Sequence, residues 1–224
     1  MVYPGEVAMS GASYKILSGR AEGVYTDRRS RFLSYLQPVC AELDARVALD
    51  AIRAEHHAAR HVCYAVVIDD PSLALSNDDG EPSGSAGRPI LQALQRVGLE
   101  YTLGVVVRYF GGIKLGVPGL IAAYRGAVEN ALENANVEER IRESSLLIAC
   151  PYGAVSVLMG YVKGSGGRIM SERYEAEMCH FEVAWPEGRV ADVVAWTESY
   201  GVEARIEGSK KGSRVLPKPY EPCT

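Results

Sequence analysis

The sequence is short of what staples small proteins together. Its five cysteines, Cys40, Cys63, Cys150, Cys179 and Cys223, are odd in number, widely spaced and never set as C-x-x-C. That excludes an even disulfide framework and a zinc ribbon, and it points to a reducing, cytoplasmic setting. Positive charge is not in excess either: 24 Lys and Arg against 28 Asp and Glu leave a net charge of −4. A protein that coats nucleic acid by bulk charge is therefore not expected, and any polyanion site must be local. The first 13 residues, MVYPGEVAMSGAS, lack the basic start and the apolar block of about 7 to 15 residues found in signal peptides. No membrane span is expected. Ser144 to Val162 runs 19 residues without a charge, but Pro151 and Gly153 split it. One part is a strand-like run, Leu146 to Cys150; the other is a helical half with Tyr152, Val155, Met159 and Val162 on one face.

What is present is an ordinary globular balance, 47% apolar and 23% charged over 224 residues, long enough to bury roughly 70% of its unfolded surface. Tyr14 to Asp27 and Arg31 to Val39 read as strands joined near the basic cluster Arg28-Arg29-Ser30-Arg31. Glu42 to His57 reads as a helix with Leu43, Val47, Ala51 and Ile52 inward. His61 to Ile68 is apolar on both faces, as in a central strand. A loop rich in Asp, Gly, Pro and Ser spans Asp69 to Gly87; the helix after it has Pro89 at its first position and Gly98 as its stop. Tyr101 to Tyr109 is another strand, and the glycine-rich loop Phe110 to Gly116 leads into a helix opened by Pro118. After Asn136 the order is strand Ser145 to Cys150, helix Tyr152 to Lys163, strands Arg168 to Tyr174 and Met178 to Trp185, helix Arg189 to Tyr200, and strand Val202 to Ile206. This β-α-β-β-α-β order is ferredoxin-like, with Cys179, Phe181, Val183 and Trp185 facing the helices. The expectation is an α+β chain of two domains, residues 14–136 and 143–207, with flexible ends at 1–13 and 208–224.

Two segments are dense in special residues: Ser76-Asn77-Asp78-Asp79-Gly80-Glu81-Pro82-Ser83-Gly84-Ser85-Ala86-Gly87-Arg88-Pro89 and Arg108-Tyr109-Phe110-Gly111-Gly112-Ile113-Lys114-Leu115-Gly116. Together they resemble the two signature segments of the IMPACT/YigZ-like proteins, and the resemblance runs from about Tyr14 to about Glu207. Ser85, Pro118 and Ala122 depart from a pattern that has Thr, Gly and Arg at those places. The resemblance implies an N-terminal domain similar to the second domain of ribosomal protein S5 (S5 domain 2-like) and a C-terminal domain similar to ones in translation elongation factors. Eukaryotic relatives damp a starvation-response kinase by binding its activator; bacterial relatives have no firmly assigned activity. The signature positions carried over are Asp78, Asp79, Glu81, Ser83, Arg108, Tyr109, Gly111, Gly112, Lys114 and Gly116.

In physical terms the second segment has the parts of an anion cradle. Gly111 and Gly112 let backbone N–H groups converge, Arg108 and Lys114 supply charge, and the following helix adds the positive end of its dipole. A tight strand-to-helix turn in which Arg108 pairs with an acid of the first loop explains the same residues. Asp78, Asp79 and Glu81 could hold a hard cation or tune a proton-transfer carboxyl, or could cap N–H groups in an Asx-type turn. His61 and Cys63 share a strand face and read as packing; His56 and His57 read as a solvated helix end, and His180 as outward.

The leading functional reading is a non-enzymatic, cytoplasmic, translation- or stress-associated regulator. It would bind RNA, the ribosome or a translation-related protein through the Asp/Glu and Arg/Lys cleft, with Arg28, Arg29 and Arg31 as candidate nucleic-acid contacts. The alternative is an enzyme acting on a phosphorylated small molecule or nucleotide at the same cleft. No catalytic residue is assigned, and neither a metal nor a cofactor is expected.

Overall fold

The computed structural model describes residues 13–68, 73–199 and the backbone of 205–210. The expected leader, the tail beyond residue 210 and the start of the expected final strand lie outside the described residues. Contacts divide the chain into two compact units, Tyr14–Arg140 and a second that begins at Ile141.

In the first unit, β2 (Ala21–Asp27), β3 (Ser30–Pro38), β4 (His61–Val67), β5 (Ala74–Asn77) and β6 (Thr102–Tyr109) form one antiparallel sheet in the order β2-β3-β6-β4-β5. Helices α2 (Gly87–Val97) and α3 (Gly116–Glu133) cover one face, where Phe32, Leu36, Cys63, Ala65, Val67 and Val106 are buried. The other face buries Tyr35, Val62, Val66, Leu103, Val105 and Val107 under α1 (Glu42–Glu55). The period-two alternation assigns every strand residue to one face. It puts Arg108 on the α2 and α3 face and Tyr109 on the α1 face.

Three local expectations differ from what is found. The span Tyr14 to Asp27 is two strands: β1 (Ser13–Leu17) leaves the main sheet and pairs with β7 (Val137–Ile141), which occupies most of the expected linker. The first loop contains the edge strand β5. Helix α1 buries Ala45, Leu49 and Ile52, whereas Leu43 and Val47 are 69% and 64% exposed. This helix carries two apolar stripes, and periodicity alone does not say which of the two a sheet will cover.

The second unit follows the order β8 (Glu143–Pro151), α4 (Val155–Gly164), β9 (Arg168–Tyr174), β10 (Met178–Pro186), α5 (Val190–Ser199) and β11 (Arg205–Lys210), with sheet order β11-β8-β10-β9. This is the split βαββαβ arrangement. Cys179, Phe181, Val183 and Trp185 pack with Leu158, Val162 and Val193, and the Trp185 indole N–H donates to Ser165 Oγ at 2.9 Å. The charge-free stretch is β8, a short turn and most of α4, and no described helix is long and apolar enough to cross a membrane. The last strand lies further along than expected, where β11 pairs with β8 through a register shift between Ile206 and Gly208.

Candidate functional site

The first signature segment is built around Asp78. Asp79 (φ 43°) and Gly80 (φ 83°) both take left-handed backbone between Asp78 O and Glu81 N, which are 2.9 Å apart. This is the two-residue turn that Asp-Gly favours. The Asp78 carboxylate then accepts N–H bonds from Gly84 (2.8 Å), Ala86 (3.0 Å) and Gly87 (2.8 Å), the last at the first residue of α2. Burial alone would raise its pKa, but these three N–H donors outweigh burial and hold it below the usual value. Asp79 accepts the Val62 N–H at 2.6 Å and lies 3.8 Å from Arg53. Ser83 is exposed, and Ser85 is buried with its hydroxyl donating to Pro82 O.

Glu81 is the acid that meets the second segment. Its Oε1 lies 2.5 Å from an Arg108 guanidinium nitrogen and accepts the Tyr124 hydroxyl at 2.8 Å; the Glu81 and Arg108 side chains are only 4% and 7% exposed. Arg108 also lies 5.5 Å from the ring centres of Phe32 and Phe110, while its Nε is buried without a hydrogen-bond partner among the described residues. Removing either partner of such a pair typically costs about 3–5 kcal/mol, because the other charge stays buried. Behind it, Cys63 Sγ sits 3.0 Å from Asp78 O and 3.3 Å from Tyr124 Oη. Burial is the main cause pushing the Cys63 thiol up to about 12, so it is inert as a nucleophile near neutrality. His61 Nδ1 contacts Asp79 O at 2.7 Å.

The turn after β6 brings a third element in. Gly111 donates its N–H to Ser30 Oγ at 3.1 Å, and a Cβ there would lie 2.0 Å from the Arg29 carbonyl carbon, so only glycine fits. The β2–β3 hairpin tip packed against it holds Arg28 (φ 43°) and Arg29 (φ 67°) in left-handed backbone, and Arg28 donates to Lys114 O at 3.3 Å. Gly112 (φ 88°) turns the chain toward Lys114 and α3. No side chain caps α3, and its first turn holds no acid, whereas Asp78 neutralises the start of α2.

Glu81, Arg108 and Lys114 line one cleft of about 410 Å³, together with Arg60, His61 and Phe110 and the α3 start at Gly116 and Val117. Asp78 and Asp79 do not line it: the Asp78 carboxylate is bonded within its own loop and the Asp79 carboxylate to the Val62 N–H of β4. Tyr109, one residue past Arg108, points to the opposite face, where its hydroxyl and that of Tyr35 hold His56 at 2.9 and 2.7 Å. His56 is thus enclosed between two tyrosines instead of solvated. Sequence reasoning passed over Arg60, which carries no motif. It also passed over Phe110 as part of the site, although an aromatic between Tyr109 and a double glycine was a signal.

Comparison with known proteins places these segments in context. Residues 28–132 match the Impact N-terminal domain model. An IMPACT family member of Haemophilus influenzae is 38% identical over 154 residues, 67% of this chain and 75% of that protein. The IMPACT family member YigZ of Escherichia coli is 34% identical over 171 residues, 75% of this chain and 83% of that protein. A crystal structure of a hypothetical protein superposes with a TM-score of 0.60 at 31% identity, covering 86% of this chain and 96% of that one. With both signature segments inside the matched region and most of each bacterial relative covered, the chain belongs to the IMPACT family.

Proposed function

We propose that the protein is a translation- or stress-associated regulator that binds RNA, free or in the ribosome, through the cleft of the first unit. The observation that carries this reading is a sorting of charge. The acids of the signature loop are engaged within the fold: Asp78 by three backbone N–H groups, Asp79 by Val62 N and Arg53, Glu81 by Arg108 and Tyr124. The cations Arg60 and Lys114 stay exposed at the cleft, with Arg28 and Arg29 exposed on the hairpin tip that bonds to the Lys114 carbonyl. An acidic chain thereby offers a local cationic surface, as a polyanion site requires. Arg108, claimed by Glu81, serves this surface as a scaffold. The enzymatic alternative would draw its proton-transfer group from these carboxylates, and their engagement within the fold supports binding over catalysis. The link to translation rests on the family's resemblance.

The test is fluorescence anisotropy with an unstructured oligoribonucleotide across a salt series. Arg60→Ala with Lys114→Ala should flatten the log–log salt dependence by about 0.7 for each phosphate no longer neutralised, with an unchanged circular dichroism spectrum. A double variant with the wild-type affinity and slope would rule out the cleft as the polyanion site.

A further inference from the structure

Phe110 is the anomaly of the cleft. The chain has three phenylalanines; Phe32 and Phe181 are buried in the two cores, whereas Phe110 is 43% exposed. It lines the cleft and is steadied by the Arg108 guanidinium, which lies over its ring at 5.5 Å and is itself locked by Glu81. Leu115 and Leu120, both buried, and Val117, 46% exposed, give the same cleft an apolar wall. Arg60 and Lys114 give it exposed positive charge, and the uncapped start of α3 adds a dipole of the same sign.

A bare phosphate would satisfy the cations and leave the aromatic and aliphatic surface wet. A purely apolar guest would do the reverse. A ligand with a flat apolar face joined to a phosphate satisfies both, and about 410 Å³ lies within the range of small-ligand sites, about 300–1,000 Å³. We propose that the cleft is a nucleoside-phosphate site in which a nucleobase stacks on Phe110 while its phosphate meets Lys114 and Arg60. Every base has a π-face, so such a platform accepts unpaired residues with little sequence preference and does not accept paired ones. This inference rests on the reading of the cleft as a polyanion site and assigns that site its single-strand character. The same chemistry could come from an unpaired residue of RNA or from a free nucleotide.

The experiment uses the full chain, an octaribonucleotide carrying one 2-aminopurine, an abasic octamer of equal charge, and AMP. Wild type should quench the 2-aminopurine as it stacks. Phe110→Ala should bind the octamer about tenfold or more weakly, the loss expected for one stacked base, with an unchanged salt slope. The abasic octamer should bind wild type no better than the intact octamer binds Phe110→Ala. AMP that displaces the octamer supports a free nucleotide as the source; binding of the octamer alone supports an RNA residue. If Phe110→Ala matches wild type in affinity and quenching, the stacking site is refuted while the polyanion reading stands. If wild type binds neither octamer nor AMP at low salt, both fall.

Discussion

Asp78 carries the acid loop through three N–H bonds, and its depressed pKa makes that contribution pH-dependent. A carboxylate whose folded pKa lies below its unfolded value stabilises fully above the unfolded value, near 3.8 here, and loses that effect as pH falls through the folded value. Asp78→Asn should therefore cost about 1–3 kcal/mol at pH 7, because both carboxylate oxygens accept N–H bonds and an amide NH2 cannot replace one of them, with the deficit shrinking in acid as the wild-type carboxyl protonates. Urea unfolding at pH 7 and near pH 3 would show this, and a deficit unchanged by acid would contradict it. At this scale the sequence was legible where a motif fixed local geometry. Asp-Gly announced a tight turn, and the capping reading of Asp78 agrees with the bonds found. It was misleading on His56, which reads as a solvated helix end, because what encloses that ring are hydroxyls from Tyr35 and Tyr109, residues 21 and 53 positions away.

Among the elements, the β2–β3 hairpin departs most from local preference. Its two-residue turn puts two arginines in left-handed backbone where Asn-Gly is the comfortable pair. Such conformations cost about 1–2 kcal/mol per non-glycine residue. Strain held at a basic tip, docked on Gly111 and Lys114, is what a binding surface retains at the expense of stability. Replacing Arg28→Asn and Arg29→Gly together should raise unfolding free energy by about 1–2 kcal/mol and weaken RNA binding at the same time. A variant that is less stable, or that binds RNA as well as wild type, would count against this role. Most elements could be read from periodicity, yet α1 shows its limit: two apolar stripes were present, and the sheet covered Ala45, Leu49 and Ile52 rather than Leu43 and Val47. β7 escaped notice because Val137-Glu-Glu-Arg-Ile141 is polar, as a mostly exposed strand can be.

For the whole molecule, the signature segments were legible as a pair, and the structure joins them through Glu81 and Arg108. What the sequence could not supply was the division of labour: burial turns Arg108 into a scaffold and hands the exposed charge to Arg60 and Lys114, a sorting that exists only once the sheet brings β4 beside β6. Nuclear magnetic resonance of the ¹⁵N-labelled full chain, titrated with an unstructured octaribonucleotide at low salt, reports where the polyanion sits. Amide shifts should concentrate at Gly80, Phe110 to Gly116 and the Arg28-Arg29 tip, and fade as salt is raised. Shifts confined to residues beyond Ile141, or none at saturating RNA, would contradict the cleft as the binding site.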